Sequence, residues 1–109
     1  MSEVLISLIQ PEWEGCANEE EMRKLLTIGA AAWNVALLKR AERAAFTERL
    51  ALAIPIELRQ DFKLVLEPLI SRKEQMFPQI RRPIFSFELT RLPSGKPYLR
   101  VISGLEQPD

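Results

Sequence analysis

Phe85-Ser86-Phe87-Glu88-Leu89-Thr90, the segment Leu92-Pro93-Ser94-Gly95-Lys96, and Tyr98-Leu99-Arg100-Val101-Ile102-Ser103 together decide the fold class. In the first stretch Phe85, Phe87 and Leu89 alternate with polar residues, the period of a half-buried strand. The middle stretch is turn chemistry, with Pro93 presetting the entry and Gly95 free to take a positive φ. The last returns as a strand with Leu99 and Val101 on one side and Tyr98, Arg100 and Ile102 on the other. A lone hairpin is marginal in water, so one face of residues 83 to 103 must pack on whatever precedes it.

What precedes it reads as helix. Asn18 stands three residues before Glu21, the spacing of a capping box, and Glu19, Glu20 and Glu21 put negative charge where a helix N-terminus leaves N–H groups unpaired. Met22, Leu25, Leu26, Gly29, Trp33, Ala36 and Leu37 then recur at steps of three and four, with Lys39 and Arg40 expected in the last turn. Gly29-Ala30-Ala31-Ala32 offers little bulk, which lets a second helix approach closely, and Trp33 is the expected core anchor. Asn34, on the adjoining edge, is either solvated or bonded to nearby backbone. A further helix is expected from about residue 41 to 53, either as an antiparallel neighbour or as a bend in one long helix. Another begins near Pro55, and its apolar period runs from Leu58 through Phe62, Leu66 and Leu69 to Phe77, predicting a kink at Pro68.

The N-terminal residues 2 to 10 suit a short helix capped at Ser2 and ended by Pro11, although Val4-Leu5-Ile6 would also suit a strand. The expected architecture is a single α+β domain of 109 residues, with two or three antiparallel helices (residues 1 to 78) packed on a C-terminal β-hairpin and a polar tail at 104 to 109.

Composition narrows the chemistry. Apolar residues make up 47% and charged residues 28%, the balance of a globular chain. There is no histidine, which removes the usual acid–base group near neutral pH and the commonest ligand of zinc, copper and iron. Cys16 has no histidine to activate it. Thr90 stands where a phosphate-binding loop before Gly95-Lys96 would need glycine, and no serine has a lysine three residues later. The Glu19–Glu21 carboxylates diverge around a helix and make no catalytic pair. The expectation is therefore a non-enzymatic protein with no cofactor and no metal. With one cysteine, no basic leader and no apolar stretch of membrane-spanning length, a cytoplasmic location is the default.

Charge sums to zero but is uneven: residues 1 to 22 hold six acidic and no basic side chains, while 23 to 109 hold fifteen basic against nine acidic. Arg72, Lys73, Arg81 and Arg82 flank the helix-to-hairpin junction, and Arg100 and Tyr98 lie on the hairpin. Arg72 and Lys73 are expected to stay in water while Phe77 closes the core or forms an interface anchor. These seven residues are the candidate partner-binding set. The leading expectation is a protein–protein interaction module, a homodimer or a small subunit of an assembly. The alternative is a nucleic-acid-associated regulatory protein using the basic junction, weakened by the neutral net charge.

Overall fold

A computed structural model describes residues 1–56 and 59–106. Four helices, α1 (Ser2–Glu14), α2 (Glu19–Ala36), α3 (Arg40–Leu52) and α4 (Arg59–Met76), precede an antiparallel hairpin of β1 (Ile84–Arg91) and β2 (Pro97–Ser103). The fold is α+β with the hairpin after the helices, as the alternation in 85–103 implies. Leu58, expected within the apolar period of the last helix, and the end of the tail at 107–109 lie outside the described residues.

The N-terminal segment is helical, burying Leu5, Leu8 and Ile9 on one face, but two details of its reading are corrected. Met1 rather than Ser2 is the N-cap, with no side-chain cap bond, and Pro11 lies inside the helix instead of ending it. A proline there removes its own N–H, the donor that would reach the Ser7 carbonyl, and the helix runs on past it to Glu14. The Arg72 guanidinium donates to the Leu8 carbonyl at 2.7 Å and to both carboxylate oxygens of Glu12 at 2.8 and 2.9 Å, tying the last turns of α1 to α4.

At the start of α2 the Asn18 side chain accepts from the Glu21 N–H at 2.9 Å, and the Glu21 carboxylate accepts from the Ala17 N–H at 2.6 Å. This is the reciprocal logic of a capping box, with the return bond one residue earlier than the standard pattern. Lys39 and Arg40 do not close α2, which ends at Ala36. Lys39 instead takes an extended conformation as the N-cap of α3. Arginines from elsewhere serve the α2 C-terminus: Arg43 donates to the Ala36 and Leu38 carbonyls at 3.0 and 3.1 Å, and Arg81 to Leu37 at 2.9 Å. These orphan carbonyls need donors and carry partial negative charge, so guanidinium groups suit them on both counts.

α3 and α4 run antiparallel, with Arg43 paired to Glu74 at one end and Glu48 paired to Lys63 at the other. α4 passes through Pro68 as one helix, burying Phe62, Leu66 and Leu69. One hydrophobic cluster joins these residues to Leu5, Leu8 and Ile9 of α1, Leu25, Leu26 and Trp33 of α2, and Ile84, Leu89 and Leu99 of the hairpin.

The hairpin closes where the sequence places it, with the Leu92 N–H donating to the Lys96 carbonyl at 2.9 Å and Gly95 at φ 87°. Its inward face differs at one residue. Phe85, expected on the buried side, is 70% exposed, while Ile84 is buried. The register shifts between Ile84 and Ser86, and this bulge inserts an extra residue that reverses the alternation upstream of it. Phe87, Leu89, Leu99 and Val101 keep their predicted inward side.

Gly29 sets the approach of α1 to α2. A Cβ there would lie 2.9 Å from Ile9 Cγ2 and 3.4 Å from Leu5 Cδ1, both on fully buried residues. Valine at position 29 therefore forces α1 outward, and overpacking outweighs the gain in helix propensity. Gly29→Val is expected to destabilise the fold by about 2 kcal/mol, measured as a lower urea midpoint at unchanged slope.

Candidate functional site

The junction between α4 and β1 holds most of the candidate residues, and two residues of α2 organise it. Trp33 is fully buried, and its indole N–H donates to the Arg82 carbonyl at 2.6 Å. Asn34 donates its amide to the Ile84 carbonyl and accepts from the Ile84 N–H, both at 2.8 Å. The Asn34 side chain thus acts as a one-residue strand against the outer edge of β1, and a half-buried polar group finds both its donor and its acceptor. Of the two readings of Asn34, the bonded one holds, with a partner 50 residues away rather than nearby backbone.

Lys73 is not in water. It is 2% exposed, its ammonium donates to the Ile80 carbonyl at 2.7 Å, and it lies 4.8 Å from the Trp33 ring centroid. Burial, followed by the nearby Arg81 charge, pushes its pKa below the usual lysine value. The carbonyl and the π face compensate the desolvated cation. Phe77 packs against the same indole, with centroids 6.0 Å apart and planes tilted by 47°. Arg72 is half-buried and tied to Leu8 and Glu12. The expectation that Arg72 and Lys73 remain solvated is corrected. Arg72 reaches the Leu8 carbonyl and the Glu12 carboxylate of α1, and Lys73 reaches the Ile80 carbonyl beside Trp33 of α2.

Arg81 donates to Leu37 through its guanidinium and to Glu106 through its backbone N–H at 2.7 Å. Arg82 is exposed and donates Nε–H to the Gly104 carbonyl at 3.0 Å. The basic junction is therefore a set of internal ties, and it does not form one outward patch with the hairpin cations. Arg100 is exposed and lies 4.0 Å from Glu88 across the strands, a pair of little energetic weight.

The outward face of the hairpin presents Tyr98 at 51% and Ile102 at 39% exposure, with the bulged Phe85 beside them. Phe85 is positioned despite its exposure: a Cβ on Gly104 would lie 2.7 Å from Phe85 Cζ and 2.9 Å from Pro83 Cγ, so Gly104 admits the ring at close range. Phe85, outside the seven-residue candidate set, alternates with Phe87 in the sequence, and no local signal marks the bulge that turns it outward.

Cys16 is half-buried, and its thiol donates to the Glu12 carbonyl at 3.4 Å. Burial and the Glu21 carboxylate push its pKa up, the opposite of an activated thiolate. Among the described residues no helix is long and apolar enough to cross a membrane. Compared with protein families, curated proteins and solved structures, the chain shows no match.

The Glu12–Arg72 pair yields a pH prediction. The Arg72 hydrogen bonds hold the Glu12 carboxyl below the usual carboxylate range. A carboxyl depressed in the folded state stabilises above its unfolded value, and that contribution is lost as pH falls through the folded value. Glu12→Gln is expected to cost about 1 kcal/mol at neutral pH, the pair being partly solvated. Urea titrations of the two proteins should converge as pH falls below the normal glutamate range.

Proposed function

We propose that the chain is a non-enzymatic protein–protein interaction module that associates through the outward face of its C-terminal hairpin, as a homodimer or as a small subunit of an assembly. The observation that carries this reading is the exposure of Phe85, Tyr98 and Ile102 on a sheet covered on one face only, with Arg100 between the last two along β2. Aromatic side chains held in place before binding lose little freedom on association, and Phe85 against Gly104 is so held. Arg82 supplies a cation at the strand entry, and Arg100 stands opposite Glu88 between Tyr98 and Ile102. Of the seven sequence candidates, Tyr98, Arg82 and Arg100 remain accessible for this role, while Lys73 and Phe77 support the surface from within.

The nucleic-acid alternative draws on cations that bond the protein's own carbonyls and carboxylates, and no specific observation favours it. Against an enzyme reading stands the one cysteine, Cys16, whose thiol is pushed above its ordinary pKa by burial and the Glu21 carboxylate.

Size-exclusion chromatography with light scattering tests the proposal. The wild-type chain is expected to elute above the mass of one chain at both low and high salt, since apolar association is not screened. The Phe85→Ser/Ile102→Ser double variant is expected to run as a single chain while retaining its circular dichroism, because surface changes typically shift stability by only about 0.5 kcal/mol each. A monodisperse wild-type monomer that captures no partner overturns the reading.

A further inference from the structure

We propose that the free edge of β2, together with the α1 face beside it, forms a strand-addition groove for an extended segment of a partner protein, one that alternates apolar side chains with lysine or arginine. This inference rests on the interaction reading above but uses a different surface.

The two edges of the hairpin are treated differently by the fold. Leu89 stands opposite Leu99, yet its carbonyl accepts from Arg23 at 2.8 Å. The Leu89–Leu99 pair is therefore of the type that exchanges no bonds across the ladder, and by alternation the backbone N–H and C=O groups of Leu99 and Val101 point away from β1. On the β1 side two outward positions have partners from α2, Asn34 satisfying both groups of Ile84 and Arg23 taking the Leu89 carbonyl, while among the described residues no side chain or neighbouring backbone bonds the outward groups of Phe87 between them. On the β2 side, among the described residues, no side chain or neighbouring backbone bonds the outward groups of Leu99 and Val101. An unpaired edge of this kind is a template for another strand.

A groove lies along the Pro97–Leu99 end of that edge. Pro97, Tyr98 and Leu99 form one wall, and Glu3, Ile6 and Trp13 of α1 form the other, around a volume of about 550 Å³. A strand edge facing a helix is the geometry in which extended peptides are captured, with main-chain bonds giving affinity and alternate side chains entering the groove.

Charge selects the occupant. Residues 1 to 22 carry six carboxylates and no basic side chain. Glu12 is matched by Arg72, whereas Glu3 is exposed at the groove. In an extended segment, side chains of one parity meet Ile6, Trp13 and Leu99 while a cation of the other parity reaches Glu3.

The test uses the full chain and an acetylated, amidated heptapeptide alternating valine with lysine, read by amide hydrogen exchange and by fluorescence. The peptide is expected to slow exchange at Leu99 and Val101 and to shift Trp13 emission. A copy N-methylated on alternate amides should give neither effect, because it cannot complete the ladder. Glu3→Lys, on an exposed side chain, should weaken binding about tenfold and retain the fold. Unchanged exchange at Leu99 and Val101 under saturating peptide overturns the proposal. So does protection of those amides that grows with protein concentration alone and resists the peptide, which would assign the edge to a second copy of β2. If the edge stays free while wild-type chains still associate through Phe85 and Ile102, only the groove is lost. If neither occurs, the interaction reading falls with it.

Discussion

The docking of Trp33 and Asn34 onto the strand entry at Arg82 and Ile84 is the constraint on which the rest of this structure depends. A two-stranded hairpin does not hold itself together in water, and its inward apolar residues are few. Asn34 supplies the missing strand neighbour at one residue, while Trp33 anchors the preceding carbonyl from within the core. Lys73 then bonds Ile80 and lies over the indole, so α4 and the α4–β1 connection converge on the same ring. With Ile84 pinned inward, the extra residue of the bulge, Phe85, turns outward.

A second regularity is the use of cations on backbone carbonyls. Arg43 and Arg81 close the end of α2, Arg59 donates to the Ala51 and Ile54 carbonyls at the end of α3, and Arg72 and Lys73 reach carbonyls outside their own helix. Helix ends and connections leave acceptors that must be satisfied once buried, and a guanidinium can satisfy more than one at a time. Arginine pairs that look like a binding field in the sequence are, in the fold, structural ties. What remains outward on the hairpin is a mixed face that carries Phe85, Tyr98 and Ile102 among Glu88 and Arg100, and the β2 edge at Leu99 and Val101.

Local signals were legible wherever a residue's partner is close in the chain. Asn18 and Glu21 announced the start of α2, Gly29 the close helix approach, and Pro93 with Gly95 the hairpin turn. Pro11 misled because α1 runs on past it to Glu14, with Arg72 of α4 holding the Leu8 carbonyl and the Glu12 carboxylate on either side of it. Lys39 and Arg40 misled because the α2 carbonyls found other arginines. Of the candidate site, Tyr98 and Arg100 were placed correctly on the outward side by alternation alone, while the inward turn of Lys73 and the outward turn of Phe85 were hidden.

The sequence by itself determined the order of elements, the helical faces, the hairpin and its turn, and the closure of several chemistries through the absence of histidine. These follow from periodicity, capping and side-chain inventory, all set within a few residues. Tertiary structure alone decided the phase of β1 at its bulge, the burial of a lysine, and which sheet edge is covered. Each depends on which backbone acceptor or donor a distant side chain meets, and hydrogen-bond satisfaction in a buried junction is a property of the packed molecule, not of any segment within it.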